Sequence, residues 1–238
     1  VSSSAASDVY KRQGSSSGMG RALRDRLLAA GHAVVGIARR QQEAGERFYP
    51  IALDLSDLDF LPRAMEQIQC THPPLDAVVC CAGRGHFGAL EQFSPSQIRD
   101  LIDLDFTSHA LVVRSLLPAM KKRRAGRIVF LGSEAALRGA QKGTIYCAAK
   151  FALRGFAQSL REETARHGIA VTLVNPGMVR TPFFDELTFR PEKDDSCAIE
   201  PDDVALTICD VLQARSGTVF DEINLSPQKR VIDFKKES

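Results

Sequence analysis

Gly14-Ser15-Ser16-Ser17-Gly18-Met19-Gly20 runs straight into Arg21 to Ala30, where Leu23, Leu27 and Leu28 mark one helix face before Gly31 stops it. Ala33-Val34-Val35-Gly36-Ile37-Ala38 follows as an apolar run of strand length. A glycine-rich turn, a helix and a buried strand in that order decide the fold class. Glycines at 14, 18 and 20 that open a helix let backbone approach a pyrophosphate and aim helix N–H groups at it. Taken alone the cluster also suits a plain loop. It contains Gly-x-Ser-x-Gly centred on Ser16, the pattern of a hydrolase nucleophile elbow. An elbow needs a downstream acid and histidine, and His109 and His167 both fall inside helical patterns.

Outward from this unit the alternation continues. Phe48 to Leu53 reads as a strand, and Ser56 or Asp57 caps a helix to about Gln69. Leu75 to Ala82 is the next strand, ended by Gly83. Ser94-Pro95-Ser96-Gln97 combines a serine cap, a first-turn proline and a capping-box glutamine, and starts one long helix through Met120. Arg127 to Leu131 is a strand, Thr144 to Arg166 a helix closed by Gly168, and Ala170 to Val174 a strand. Pro201 to Ala214 is a helix, and Thr218 to Leu225 a last strand. Strands that alternate with helices, several of them apolar throughout, predict an α/β fold: one doubly wound parallel sheet covered on both faces, over residues 14–238.

Residues 1–13 do not fit this pattern. Val1-Ser2-Ser3-Ser4-Ala5-Ala6-Ser7-Asp8-Val9-Tyr10-Lys11-Arg12-Gln13 has neither helical nor strand period, and only Val9-Tyr10 is strand-like. It reads as an adaptor-like, non-native leader, with a flexible native terminus as the alternative. On that reading the apolar strand expected just before Gly14 is missing.

Composition narrows the classes further. Hydrophobic residues make up 44% and charged residues 25%, a globular balance, and no apolar run approaches the roughly 18 residues of a membrane span. A net charge of +2 gives no strong field for nucleic acid or membrane, and the basic run Lys121 to Arg124 suits a solvated helix end. The six cysteines show no zinc-like or C-x-x-C spacing. They read as buried free thiols of a reducing cytoplasm.

Two further features carry chemistry. At the end of the second apolar run stand Arg39 and Arg40, with no acid before Glu43. An acid there would bind a ribose 2′-hydroxyl, whereas guanidiniums suit a 2′-phosphate, so a dinucleotide site here favours NADP over NAD. Tyr146 precedes Lys150 by one helical turn, and Ser133 lies thirteen residues earlier at a strand end. A nearby ammonium, with an oxidised nicotinamide, is expected to draw the phenol down from its ordinary value of about 10.

With these motifs in order, the chain resembles the short-chain dehydrogenase/reductase family in its single-domain branch, from Gly14 to about Ile232. The resemblance implies a Rossmann-type sheet and reversible hydride transfer between a nicotinamide and a carbonyl or alcohol carbon. By motif it assigns cofactor contacts to Gly14, Ser16, Ser17, Gly18, Met19 and Gly20, to Asp54 and Leu55, and to Cys81, Ala82 and Gly83. Pro176, Gly177, Val179 and Thr181 complete them beyond the sixth strand. Tyr146 is implied as general acid/base, Ser133 as the partner of the substrate oxygen, and Lys150 as the residue that binds the nicotinamide ribose and tunes Tyr146.

Departures from the family pattern qualify this. Cys80-Cys81-Ala82-Gly83 stands where the family has Asn-Asn-Ala-Gly, and Asp105 where it has an asparagine that serves the proton relay. Either change implies reduced activity, and the alternative is a cofactor-binding member with little catalysis. The segment 182–199 takes the place of the substrate lid. Its Phe183, Phe184, Leu187 and Phe189 either line an apolar pocket or pack the lid to the body, and His86 and Phe87 face substrate or stand by. The reading is an NADP-preferring oxidoreductase of small or medium carbonyls or alcohols, hydroxy acids included. No metal is expected. The resemblance also implies a homodimer or homotetramer joined through the Thr218 to Pro227 edge.

Overall fold

The structure is a computed structural model and describes residues 9–13 and 16–235. Seven parallel strands form its main sheet: β1 (Val9–Gln13), β2 (Ala33–Ala38), β3 (Phe48–Ala52), β4 (Ala77–Cys80), β5 (Gly126–Leu131), β6 (Ile169–Pro176) and β8 (Glu222–Leu225), in spatial order β3-β2-β1-β4-β5-β6-β8. A two-stranded antiparallel ribbon, β7 (Phe189–Pro191) with β9 (Ile232–Phe234), lies apart from it. Because β2 and β4 are buried at every position, both sheet faces must be covered.

Helices supply the cover. α1 (Gly18–Ala29) and α6 (Pro201–Gln213) enclose one face, with Leu23, Leu27, Val34, Val79, Val204 and Ile208 in a common core. The opposite face is closed by α2 (Leu61–Thr71), α4 (Ser108–Arg123) and α5 (Thr144–Thr164), where Leu61, Met65, Val112, Phe130 and Leu153 meet. Alternate residues of β2 serve opposite cores, Val35 with Ile37 on one side and Val34 on the other, as a period-two strand requires. Among the described residues no helix is long and apolar enough to cross a membrane.

The start of α3 (Pro95–Ile102) follows its sequence signature: Ser94 Oγ accepts the Gln97 N–H at 3.2 Å, and Gln97 Oε1 accepts the Ser94 N–H at 2.8 Å. The long helix foreseen after it is not regular. A π-helical turn, Asp103–Thr107, joins α3 to α4, and Asp105 within it is wholly buried. At the far end of α4, Lys121 meets Glu163 at 2.7 Å and Arg123 donates to the Leu75 carbonyl at 2.7 Å, so the basic run is anchored as well as solvated.

Some expectations change. The second helix begins at Leu61 instead of Ser56 or Asp57, because Asp54 and Ser56 first fold into a turn and Asp57 Oδ1 accepts the Phe60 N–H at 3.1 Å. The last strand of the main sheet begins at Glu222, with Val219 and Phe220 exposed ahead of it. The cysteines are all free, yet Cys70 is exposed, and Cys81 and Cys209 are half-buried.

The place expected to lack a strand is filled by Val9–Gln13 itself, paired to β2 along its whole length and to β4 through Tyr10, Lys11 and Arg12. This is the centre of the sheet, yet the sequence there carries Lys11-Arg12-Gln13.

Candidate active site

Parallel strands bring their carboxyl ends to one edge of the sheet, and the chain reverses direction of winding beside β1, between β2 and β4. The sequence-assigned residues gather at this edge. Gly14 lies outside the described residues. Gly18 begins α1 with a left-handed φ of 51°, and a Cβ there would stand 3.2 Å from the Thr181 methyl. Residues 163 apart in sequence thus close on one groove, with Met19 and Gly20 tucked behind and Ser16 and Ser17 exposed at its rim. Ser17 is extended and its own side chain makes no cap hydrogen bond to the start of α1. That suits a pyrophosphate.

Around the groove, Arg39 and Arg40 are exposed just past β2. Asp54 Oδ1 accepts from the Ser56 hydroxyl at 2.7 Å and the Ser56 N–H at 2.9 Å. These bonds, helped by the fields of Arg39 and Arg84, hold the Asp54 carboxyl below its ordinary range. Leu55 is buried beside it. On the far side Gly177 N–H bonds the Leu225 carbonyl at 2.8 Å after Pro176 closes β6, and buried Val179 bridges to Ile199. The residues present therefore fit a dinucleotide.

Ser133 leaves β5 in extended conformation, and its N–H donates to Asn175 Oδ1 at 3.3 Å. Asn175, on β6, donates in turn to Glu222 Oε1 at 2.9 Å and Asn224 Oδ1 at 3.0 Å, a polar tie across three strands. A Cβ on Gly132 would fall 2.0 Å from Asn175 Oδ1, so only glycine admits this tie. The Ser133 side chain lies near Tyr146, which α5 presents beside it, close enough for the hydroxyl to pull the phenol's pKa down. One turn further on α5, the Lys150 ammonium stands 5.6 Å from the Tyr146 ring centre.

Behind them lies a buried ion pair. Lys150 Nζ is 3.0 Å from Asp105 Oδ1, at ion-pair distance although outside hydrogen-bond alignment, and both side chains are sealed from solvent. Asp105 Oδ2 accepts the Arg84 N–H at 3.1 Å. A Cβ on Gly83 would come within 2.7 Å of Asp105 Oδ1 and 3.4 Å of Lys150 Nζ, so the Cys81-Ala82-Gly83 turn rests directly on the pair. Burial by itself would lower Lys150, but Asp105 and Tyr146 acting together outweigh it and hold the ammonium above its ordinary 10.5. Burial likewise pushes Asp105 up, against the pull of Lys150.

Lys150 acts on the phenol in the expected sense, against opposing influences from its surroundings. Burial raises Tyr146 above its ordinary 10.0; Lys150 and the Ser133 hydroxyl pull down, and Asp105 pushes up again. The carboxylate cancels part of the ammonium's field, which spacing along a helix does not reveal. In this state Tyr146 holds its proton at neutral pH.

His109 went unassigned in the sequence. It is fully buried one turn past Asp105, neither ring nitrogen has a hydrogen-bond partner, and burial with the field of Lys150 lowers its pKa to about 3. A histidine inside a helical pattern gives no warning of this. Its burial removes one base from the Ser16 elbow reading, and His167 is engaged with Arg166 instead.

The segment 182–199 packs against Tyr146. Phe183 lies 6.0 Å and Phe87 5.2 Å from the Tyr146 ring centre, Leu187 is buried, and His86 turns to Phe93 at 4.8 Å. β9 holds this segment in place: it pairs with β7, Arg190 meets Asp233 at 2.8 Å, and Lys235 Nζ donates to the Phe184 and Asp185 carbonyls at 2.6 and 2.8 Å.

Comparison with known proteins agrees with this geometry. Residues 13–191 match the family model described as short chain dehydrogenase. The chain is 31% identical over 182 residues to a 3-oxoacyl-[acyl-carrier-protein] reductase of Haemophilus influenzae, covering 74% of this chain and 75% of that protein. To human 17-beta-hydroxysteroid dehydrogenase type 1 it is 32% identical over 143 residues, 60% of this chain and 43% of that longer enzyme. The solved structure of a short-chain dehydrogenase from Streptomyces avermitilis superposes with a TM-score of 0.82 at 28% identity, over 93% of this chain and 89% of that one. The chain belongs to the short-chain dehydrogenase/reductase family and is, as such, an NAD(P)-dependent oxidoreductase.

Proposed function

We propose that this protein is an NADP-preferring oxidoreductase that interconverts a carbonyl and an alcohol, with Tyr146 as general acid/base. One observation carries the reading: the Ser133 and Tyr146 side chains meet at the strand ends while the buried Lys150–Asp105 pair backs them. The nicotinamide supplies or accepts the hydride. In reduction the carbonyl carbon gains that hydride and the oxygen gains the Tyr146 proton, so two electrons and two hydrogens are added. Ser133 donates a hydrogen bond to the substrate oxygen and orients it. Lys150 holds the nicotinamide ribose through its ammonium, and Asp105 keeps that ammonium charged. Gly18, Met19 and Gly20 offer the α1 N–H groups to the pyrophosphate, and Thr181 contacts the carboxamide.

A tyrosine that holds its proton at neutral pH favours the reductive direction. The alternative, cofactor binding with little catalysis, rests on Asp105 and Cys81. The neutral, buried pairing of Asp105 with Lys150 speaks for retained chemistry. We further propose that the chain works in the cytoplasm, where its free cysteines stay reduced, and that it dimerises or tetramerises through the β8 edge.

Arg39 and Arg40 test the cofactor preference. Their joint replacement by alanine removes charge-assisted bonds to a 2′-phosphate and is expected to weaken NADPH roughly 10- to 100-fold while leaving NADH affinity within about twofold. Calorimetric titration of both nucleotides decides it. Equal losses for the two would remove the arginines from this role.

A further inference from the structure

Five aromatic rings close a circuit at the reaction centre. Tyr146 meets Phe87 at 5.2 Å, Phe87 meets Phe189 at 5.1 Å, Phe189 meets Phe184 at 5.9 Å, Phe184 meets Phe183 at 5.2 Å, and Phe183 returns to Tyr146 at 6.0 Å. The rings come from three places: the turn after β4, the start of α5, and the lid. None is needed for the fold's two main cores, which close without them. Their meeting depends on Gly85, because a Cβ there would lie 2.4 Å from Phe183 Cζ and 2.9 Å from Phe87 Cε2.

We propose that this circuit is the substrate-recognition element and selects an uncharged ketone or alcohol with a flat apolar body, of aryl or fused-ring size. The inference rests on the reading of Tyr146 and Ser133 as the reacting hydroxyls. Tyr146 is 7% exposed and packs against both Phe87 and Phe183, so a substrate that brings its oxygen to the phenol lies against these rings. Whatever enters must replace ring-to-ring contacts, and a flat apolar body does so in the same offset and edge-on geometries. A carboxylate would be left desolvated against ring faces that are themselves negative. A cation meets Lys150, already 5.6 Å from the Tyr146 ring centre. Small hydroxy acids, admitted by the sequence, are thereby disfavoured.

The test uses the full chain with 1-tetralone, pyruvate and dihydroxyacetone. With NADPH, kcat/KM for 1-tetralone is expected to exceed that for either small ketone by about 100-fold. Phe183→Ala is expected to reduce that preference about tenfold, chiefly through KM, and Gly85→Ala to do the same by displacing Phe183. Equal or better use of pyruvate or dihydroxyacetone overturns the proposal, as does a preference that Phe183→Ala leaves undiminished. A binding arm separates this from the catalytic reading: at one fixed concentration 1-tetralone is expected to raise the Tm of wild type and of Tyr146→Phe alike, and that of Phe183→Ala by clearly less. Such binding without turnover of any ketone would sink the catalytic role and leave the recognition element standing. Turnover of 1-tetralone with no Phe183 dependence would do the reverse, and absence of both binding and turnover overturns the proposal outright.

Discussion

Replacing Tyr146 with phenylalanine is expected to lower kcat by roughly 10²–10⁴, the range for loss of a positioned general acid/base, with NADPH affinity kept within about twofold. The ring's contacts with Phe87 and Phe183 survive the change, so Tm should stay within a few degrees. Both readouts are needed: NADPH absorbance for turnover, and thermal scans with and without NADPH for binding. A loss of less than about tenfold would remove Tyr146 from the proton step. A proportionate loss of binding would make it a cofactor contact only.

Asp105 carries the second large effect, and two replacements separate its roles. Asp105→Ala leaves the buried Lys150 ammonium without its counter-charge and the Arg84 N–H without its acceptor. The expected cost is about 3–5 kcal/mol, a Tm lower by roughly 6–20 °C. The pH dependence follows from Lys150, whose folded pKa lies above its ordinary 10.5. Its contribution is complete below that value and is lost as pH climbs through the folded pKa, so this part of the stability should fade only in strongly alkaline solution. Asp105→Asn keeps an acceptor for Arg84 N–H and removes the charge that raises Tyr146. The alcohol-oxidising limb of the pH–rate profile, which needs the phenolate, is then expected to shift to lower pH, with faster oxidation at neutral pH. A limb that stays put or moves upward would show that Asp105 does not set the phenol's charge.

Much of this molecule is legible along the chain because its determinants are local. The Gly18-Met19-Gly20 turn, the apolar runs of β2 and β4, the Ser94–Gln97 cap and the one-turn spacing of Tyr146 and Lys150 are patterns within a few residues. What escapes depends on contacts across the fold. Nothing local places Asp105 against Lys150, since a π-helical turn rotates it inward and the two stand 45 positions apart. The upward shift of Tyr146 comes first from burial and then from the Asp105 carboxylate, whose place in the relay the family resemblance implied. β7 and β9 are three-residue strands that exist only because they pair with each other. Lys11-Arg12-Gln13 reads as non-strand, and parallel neighbours on both sides nevertheless carry it as one. The side taken by Phe183 depends on Gly85 and Tyr146, far from it in sequence.

The most direct test of the central claim follows the hydride. Enzyme supplied with NADPH carrying deuterium at both nicotinamide C4 positions and with 1-tetralone should yield an alcohol that carries one deuterium on the former carbonyl carbon, read by mass spectrometry. Tyr146→Phe should form about 100-fold less of that labelled alcohol, or still less, over the same interval. NADPH that raises Tm yet transfers no deuterium to 1-tetralone or to either small ketone would contradict the account.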